Sequence, residues 1–209
     1  RAHLNAYLDD YAYLLAAAIE LLQADYRPDI LEFAERLAEA LLDHFEDKND
    51  GGFFFTSHDH ERLIQRSKLG HDNATPAGNG VAAFALQRLA FLTGEMRYAQ
   101  AAERALEFFY PAMAGQPGAH ATLLVALEEY LTPTRTLILR GQQPALRAWR
   151  PAVAERFLPS TMVVAIAADV ANLPAVLAKP VAEGVSAWMC EGVACRAPVK
   201  DLQILLAGL

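Results

Sequence analysis

The residues best suited to chemistry gather in Lys68 to Gly94, KLGHDNATPAGNGVAAFALQRLAFLTG, where a polar loop runs into an apolar helix. His71, Asp72, Asn73 and Asn79 cluster around the start of that helix. Side chains of these types can hold a polar ligand at a helix start, and a carboxylate such as Asp72 works as a general acid or base when burial tunes its pKa. The competing reading is that Asp72 and Asn73 make the turn and cap the helix. A second candidate is Asp9-Asp10-Tyr11, which invites comparison with paired catalytic carboxylates. Neighbours on a helix point about 100° apart, so these two do not flank one bond from that helix alone. Asp9 shares its side with Tyr13 and Glu20 and reads as solvated, whereas Asp10, nearer the apolar stripe, is expected to be buried with Tyr11.

His58-Asp59-His60, with His44 and His71 elsewhere, has the composition of a metal site. Zinc needs three or four converging ligands, and residues in a turn share no face, so a polar hairpin loop is expected and no metal. Cys190 and Cys195 lack the Cys-x-x-Cys spacing and are too few for a four-ligand zinc site. Buried structural thiols are favoured, with a local disulfide or a thiol pair as alternatives. Trp188 before them reads as core. No phosphate loop, nucleophile elbow or dinucleotide fingerprint occurs, so no cofactor is expected.

These residues must be positioned by helices in the first part of the chain. Leu4, Leu8, Tyr11, Leu15, Ile19 and Leu22 predict a helix from Leu4 to Ala24. Pro28 and Asp29 open a second, with Ile30, Phe33, Leu37, Leu41 and Phe45 inward and Glu32, Glu35, Arg36, Glu39 and Asp43 on a solvated face. Gly52–Thr56 and Arg62–Arg66 predict a short β-hairpin. Thr75 as N-cap and Pro76 as first helical residue start the central helix, which Gly94 ends. Gly78 and Gly80 in its first turns imply that another backbone, or a ligand, comes close. A further helix carries Tyr98, Ala102, Ala105 and Phe109 and closes at Pro111; the next spans Gly118 to Tyr130. After Pro133 the pattern changes to strands at 136–140, 161–167 and 185–190, with helices at 144–157, 173–178 and 199–206. That alternation predicts a parallel α/β unit with right-handed crossovers. The expected division is 1–131 and 134–209.

The chain has 209 residues, 54% of them hydrophobic, and a net charge of −7. No apolar run reaches the roughly 20 residues of a membrane span, so no membrane is expected. The acidic balance and lack of a basic stripe argue against nucleic acid. Two cysteines are too few for a secreted disulfide framework, and a cytoplasmic location is expected.

LDDYAYLLAAAIEL, NDGGFFFT, HDNATPAGNGVAAFALQRLAFLTGEMRYAQAAERAL and WMCEGVACRAPVKD occur in that order. With these motifs, nearly the whole chain resembles the C-terminal region of the thioredoxin-domain-containing proteins related to spermatogenesis-associated protein 20. The resemblance implies part of an (α/α) toroid of the six-hairpin glycosidase type, similar to N-acylglucosamine 2-epimerases, with a β-hairpin insert and a small C-terminal α/β unit. It implies a mainly α fold and a longer parent protein, because the thioredoxin-like domain is absent and only about five of the roughly dozen toroid helices are present. Two functions follow as expectations. One is a carbohydrate-active epimerase or hydrolase with Asp72 and Asp10 as acid/base residues and His71, Asn73, Asn79 and Tyr11 binding a sugar or other small polar ligand. The other is a non-catalytic interaction domain that packs on the missing N-terminal segment, the thioredoxin-like domain, a partner, or a second copy.

Overall fold

A computed structural model describes residues 5–61, 64–192 and 194–209. It is helix-rich, with seven α-helices among the described residues and one four-stranded sheet. The chain divides into two compact units, one of Arg1–Ile19, Asp29–Ala90 and Glu95–Thr132, the other of Glu20–Pro28, Phe91–Gly94 and Pro133–Leu209. No helix among the described residues is long and apolar enough to cross a membrane.

The first unit draws on α1 (Leu8–Ala24) up to Ile19, α2 (Pro28–Ala40) from Asp29, α3 (Gly78–Thr93) up to Ala90, α4 (Met96–Gly115) and α5 (Ala121–Leu131); the ends of α1 and α3 belong to the second unit. Leu4 lies outside the described residues. On α1 the expected stripe is buried at Leu8, Leu15, Ile19 and Leu22, while Tyr11 stays half-buried. The buried side of α2 is Leu31, Ala34, Leu37 and Ala38, continuing through a π-helical turn at Leu41–Phe45. Ile30 and Phe33 are only half-buried. Ala34 and Ala38 are fully buried, which puts the core side of α2 on their face.

α3 is the spine of this unit. Ala82, Ala83, Ala85, Leu86, Leu89 and Ala90 are all buried, which a helix surrounded by others requires. It begins at Gly78 rather than at Pro76, and Thr75 is not its cap. The carboxylate of Asp72 accepts the N–H of Ala77 at 2.7 Å, and Ala77 supplies the carbonyl for the first helical bond from Val81. Gly94, at φ 84°, ends the helix as expected. α4 buries Tyr98, Ala102, Ala105 and Phe109 but does not stop at Pro111. Pro111 is exposed, and the turn beyond it carries Met113 into the core at 2% exposure, which offsets the lost backbone bond. A 3₁₀ turn, Pro117–Ala119, precedes α5.

The expected hairpin of 52–56 with 62–66 does not form as a pair of strands. Arg62 and Leu63 lie outside the described residues; the remainder is irregular, with a single bridge between Phe53 and Glu46 and an N–H of Phe55 donated to Ser67. The reason is visible at Phe53. Its N–H and C=O are both taken by the Asn79 side chain, at 2.7 and 2.9 Å, so an amide replaces the partner strand.

The second unit holds β1 (Arg135–Gly141), α6 (Gln143–Ala154), β2 (Thr161–Ala167), β3 (Val185–Glu191), β4 (Ala194–Cys195) and α7 (Leu202–Gly208). The sheet order is β2-β1-β3-β4. β1 and β2 are parallel with Ile138 beside Val164, joined through α6. β3 is antiparallel to β1, with Ile138 beside Trp188, so the expected all-parallel unit is corrected. An antiparallel return begins at the end where β2 finishes and needs no helical crossover. Accordingly 173–178 forms turns instead of a helix, in a segment with Pro174, Pro180 and left-handed Asn172 and Gly184. Leu137 and Leu139 of β1 pack with Leu146, Trp149 and Val153 of α6 and Leu205 of α7. α7 starts three residues later than expected, where Asp201 accepts the N–H of Ile204.

Cys190 and Cys195 are directly opposed on β3 and β4 and form a disulfide. The expectation of buried thiols is therefore corrected: Cys190 is buried, but Cys195 is exposed on the edge strand. Cross-strand neighbours bring the two sulfurs within bonding range, a contact that sequence spacing alone does not reveal.

Candidate functional site

The loop-to-helix corner is held together by the residues that had been its candidate ligands. Asp72 accepts Ala77 N–H with one oxygen at 2.7 Å and Thr122 N–H with the other at 2.8 Å. It thereby caps α3 and the start of α5 at once, a favourable place for a carboxylate. Burial pushes its carboxyl up, but the bonds from Thr122 and Ala77, with His120 nearby, outweigh this and hold it below the usual carboxylate range. A carboxyl held ionised has no proton to donate near neutral pH. Asn79 is fully buried and, besides Phe53, donates to the Leu69 carbonyl at 2.9 Å. Its oxygen and both amide hydrogens are engaged by the backbone.

Asp9 and Asp10 take roles opposite to those expected. Asp10 is exposed and accepts the Tyr7 N–H at 2.9 Å. Asp9 is half-buried and accepts the N–H of Gly78, adding a second carboxylate to the N-terminus of α3. Burial, and then the neighbouring Asp10, raise its pKa despite that bond. A helical stripe assigns sides from one helix, whereas Asp9 faces a neighbour that arrives from 69 residues away. At Gly78 a Cβ would meet Asp9 Oδ1, so a larger residue would displace that carboxylate from its bond; at Gly80 a Cβ would lie 2.9 Å from Leu123 N. The expected close approach at both glycines is thus made by protein. Tyr13 completes the joint by donating to the Pro76 carbonyl at 2.5 Å.

Of the other candidates, His71 and Asn73 are exposed and contact each other at 3.3 Å. Tyr11 packs its ring 5.2 Å from Phe45. His58 stacks on His44 at 4.9 Å and His60 lies against Tyr7. Among the described residues no three His, Cys, Asp or Glu side chains converge as a metal would require.

Two features lay outside the sequence reading. The acidic side of α2 is not simply solvated: Arg97 bridges Glu39 with nitrogens at 2.5 and 2.7 Å, and Tyr98 donates to Glu39 at 2.5 Å. Burial, then Glu95, Glu32 and Glu39, push the Glu35 carboxyl up against the pull of Arg97. The second feature is a groove of about 450 Å³ between α4 and α5, lined by Glu103, Leu106, Glu107, Tyr110, Leu127 and Tyr130. Tyr110 and Tyr130 are 59% and 41% exposed, so apolar rings border an open trough. Both carboxylates stand on α4, and Tyr130 donates its hydroxyl to Glu103. The signal was present as a second stripe, Glu103, Leu106, Glu107 and Tyr110, at spacings of three and four.

No family model matches the chain. It is similar to human spermatogenesis-associated protein 20, at 26% identity over 204 residues, covering 93% of this chain and 26% of the human protein. The rat protein of the same name gives 26% identity over the same shares. An uncharacterized protein of Caenorhabditis elegans is 27% identical over 209 residues, covering 97% of this chain and 28% of that protein. The chain spans about a quarter of the length of these relatives. The similarity supports kinship with the spermatogenesis-associated protein 20 family.

Proposed function

We propose that this chain is a non-catalytic interaction domain, part of a helical toroid, whose α4–α5 groove receives a helix from a protein partner. The groove carries the reading: exposed tyrosines over leucines, bordered by glutamates, suit a helix with an apolar face flanked by lysine or arginine. The partner class includes a segment of a longer parent protein, a thioredoxin-like domain or a second copy. The corner at Asp72 supports the same reading, because its polar groups hold helices together. Exchanging Glu107→Lys is expected to weaken capture of a basic amphipathic helix and to leave thermal stability unchanged; unaltered capture would refute the groove.

A second reading, acid/base chemistry on a sugar, rests on Asp9. Burial and Asp10 raise its pKa, the direction a general acid needs. It requires a sugar that raises the melting temperature of the native protein, and loss of that rise in Asp9→Asn.

A further inference from the structure

The second unit contains a cleft of about 670 Å³, within the roughly 300–1,000 Å³ typical of small-molecule sites. Three arginines line it, Arg147, Arg150 and Arg156, against one acidic residue, Glu20. Arg147 and Arg150 are one turn apart on the same side of α6 and so present their charges together. Arg150 has a loose contact with Asp25 at 3.7 Å, whereas Arg147 and Arg156 have no carboxylate partner among the described residues. In a chain of net charge −7, such a concentration of cations marks a local reversal of sign. Between them the wall is apolar, made by Pro151, Val153 and Leu158.

The opposite wall excludes one class of occupant. β2 forms one edge of the sheet, and an open edge invites a peptide to add as a new strand. Here Gln23 Oε1 accepts the outward N–H of Val163 at 3.3 Å, while its amide donates to Glu20 at 3.0 Å. The side chain occupies the position a partner strand would need, so the cleft offers positive charge and apolar surface but no ladder.

We propose that this cleft binds a small organic anion with a carboxylate or phosphate head and an apolar body. The guanidiniums meet the head through paired, charge-assisted hydrogen bonds, and the apolar wall covers the body. The test is calorimetric titration of the intact chain at low salt with hexyl phosphate, hexanoate, inorganic phosphate and hexyltrimethylammonium. Saturable binding of hexyl phosphate or hexanoate is expected, with affinity falling about tenfold or more in Arg147→Gln/Arg156→Gln. Both arginines are exposed, so the variant should keep its melting temperature. Preference between the two heads assigns the natural ligand to phosphate esters or carboxylates. A second variant, Ala154→Trp, fills the cleft and should abolish binding with every arginine in place. Absence of saturable binding, equal binding of the ammonium probe, inorganic phosphate binding as tightly as hexyl phosphate, or retention by both variants would overturn the proposal.

Discussion

Replacing Asp72 separates a structural joint from a catalytic acid. In Asp72→Ala, the N–H groups of Ala77 and Thr122 lose their acceptor together. Loss of one helix cap costs about 0.5–2 kcal/mol, so two caps on one carboxylate are together worth about 1–4 kcal/mol, with about 3 kcal/mol expected because the acceptor is ionised. For a chain of this length that corresponds to a fall in melting temperature of about 6–12 °C. Asp72→Asn keeps one oxygen but turns an NH₂ toward a backbone donor, and should cost about 1–2 kcal/mol. The native pKa of Asp72 is depressed, so its contribution is full above the unfolded carboxylate pKa of about 3.9 and is lost as pH falls through the native value. Urea unfolding followed by far-UV circular dichroism at pH 7 and at stepwise lower pH measures both effects. The gap between wild type and Asp72→Asn should narrow on acidification. A variant within about 0.5 kcal/mol of wild type at pH 7, the range of an ordinary surface change, would refute the joint.

Four further outcomes follow from the geometry. Gly80→Ala should destabilise by about 1–3 kcal/mol in chemical denaturation, although alanine is the better helix former, because its methyl meets the backbone of Leu123. Glu129→Ala removes the carboxylate that holds the largely buried Arg88 guanidinium at 3.1 Å, and thermal unfolding should show a loss of about 3 kcal/mol or more; Arg88→Met/Glu129→Leu should recover most of it. Glu35→Gln should stabilise at pH 7, since a raised native pKa means the ionised carboxylate costs stability above the unfolded value, and the gain should vanish near pH 4 and below. Cys190→Ser/Cys195→Ser opens a short cross-strand loop and should cost about 2 kcal/mol in unfolding of the second unit.

The helices were legible in the sequence because their stripes repeat over several turns, and β2 appeared at its observed bounds because Thr161–Ala167 is an uninterrupted apolar run. What escaped depended on long-range partners. Asn79 reads as one more polar residue near a helix start until Phe53, 26 positions earlier, presents both backbone groups to its amide. Asp72 reads either as an acid/base candidate or as a local turn residue, because its second acceptor role, to Thr122, lies 50 positions away. Asp9 and Asp10 exchanged roles for the same reason. The direction of β3 was obscured because three apolar strands in a row look alike whether parallel or antiparallel; only the prolines and glycines of the connection distinguish them. The α4–α5 groove was written as a second stripe on α4, which becomes a surface only when α5 lies beside it.

The groove is tested most directly by fluorescence anisotropy with two labelled peptides. Both are designed amphipathic helices with leucine on the apolar face, one bordered by lysine and the other by glutamate. Saturable one-to-one binding of the lysine peptide is expected at physiological salt, with no binding of the glutamate peptide and loss of binding in Tyr110→Asp, whose site is open enough to leave the fold intact. Equal binding of the two peptides, or undiminished binding by Tyr110→Asp, would contradict it.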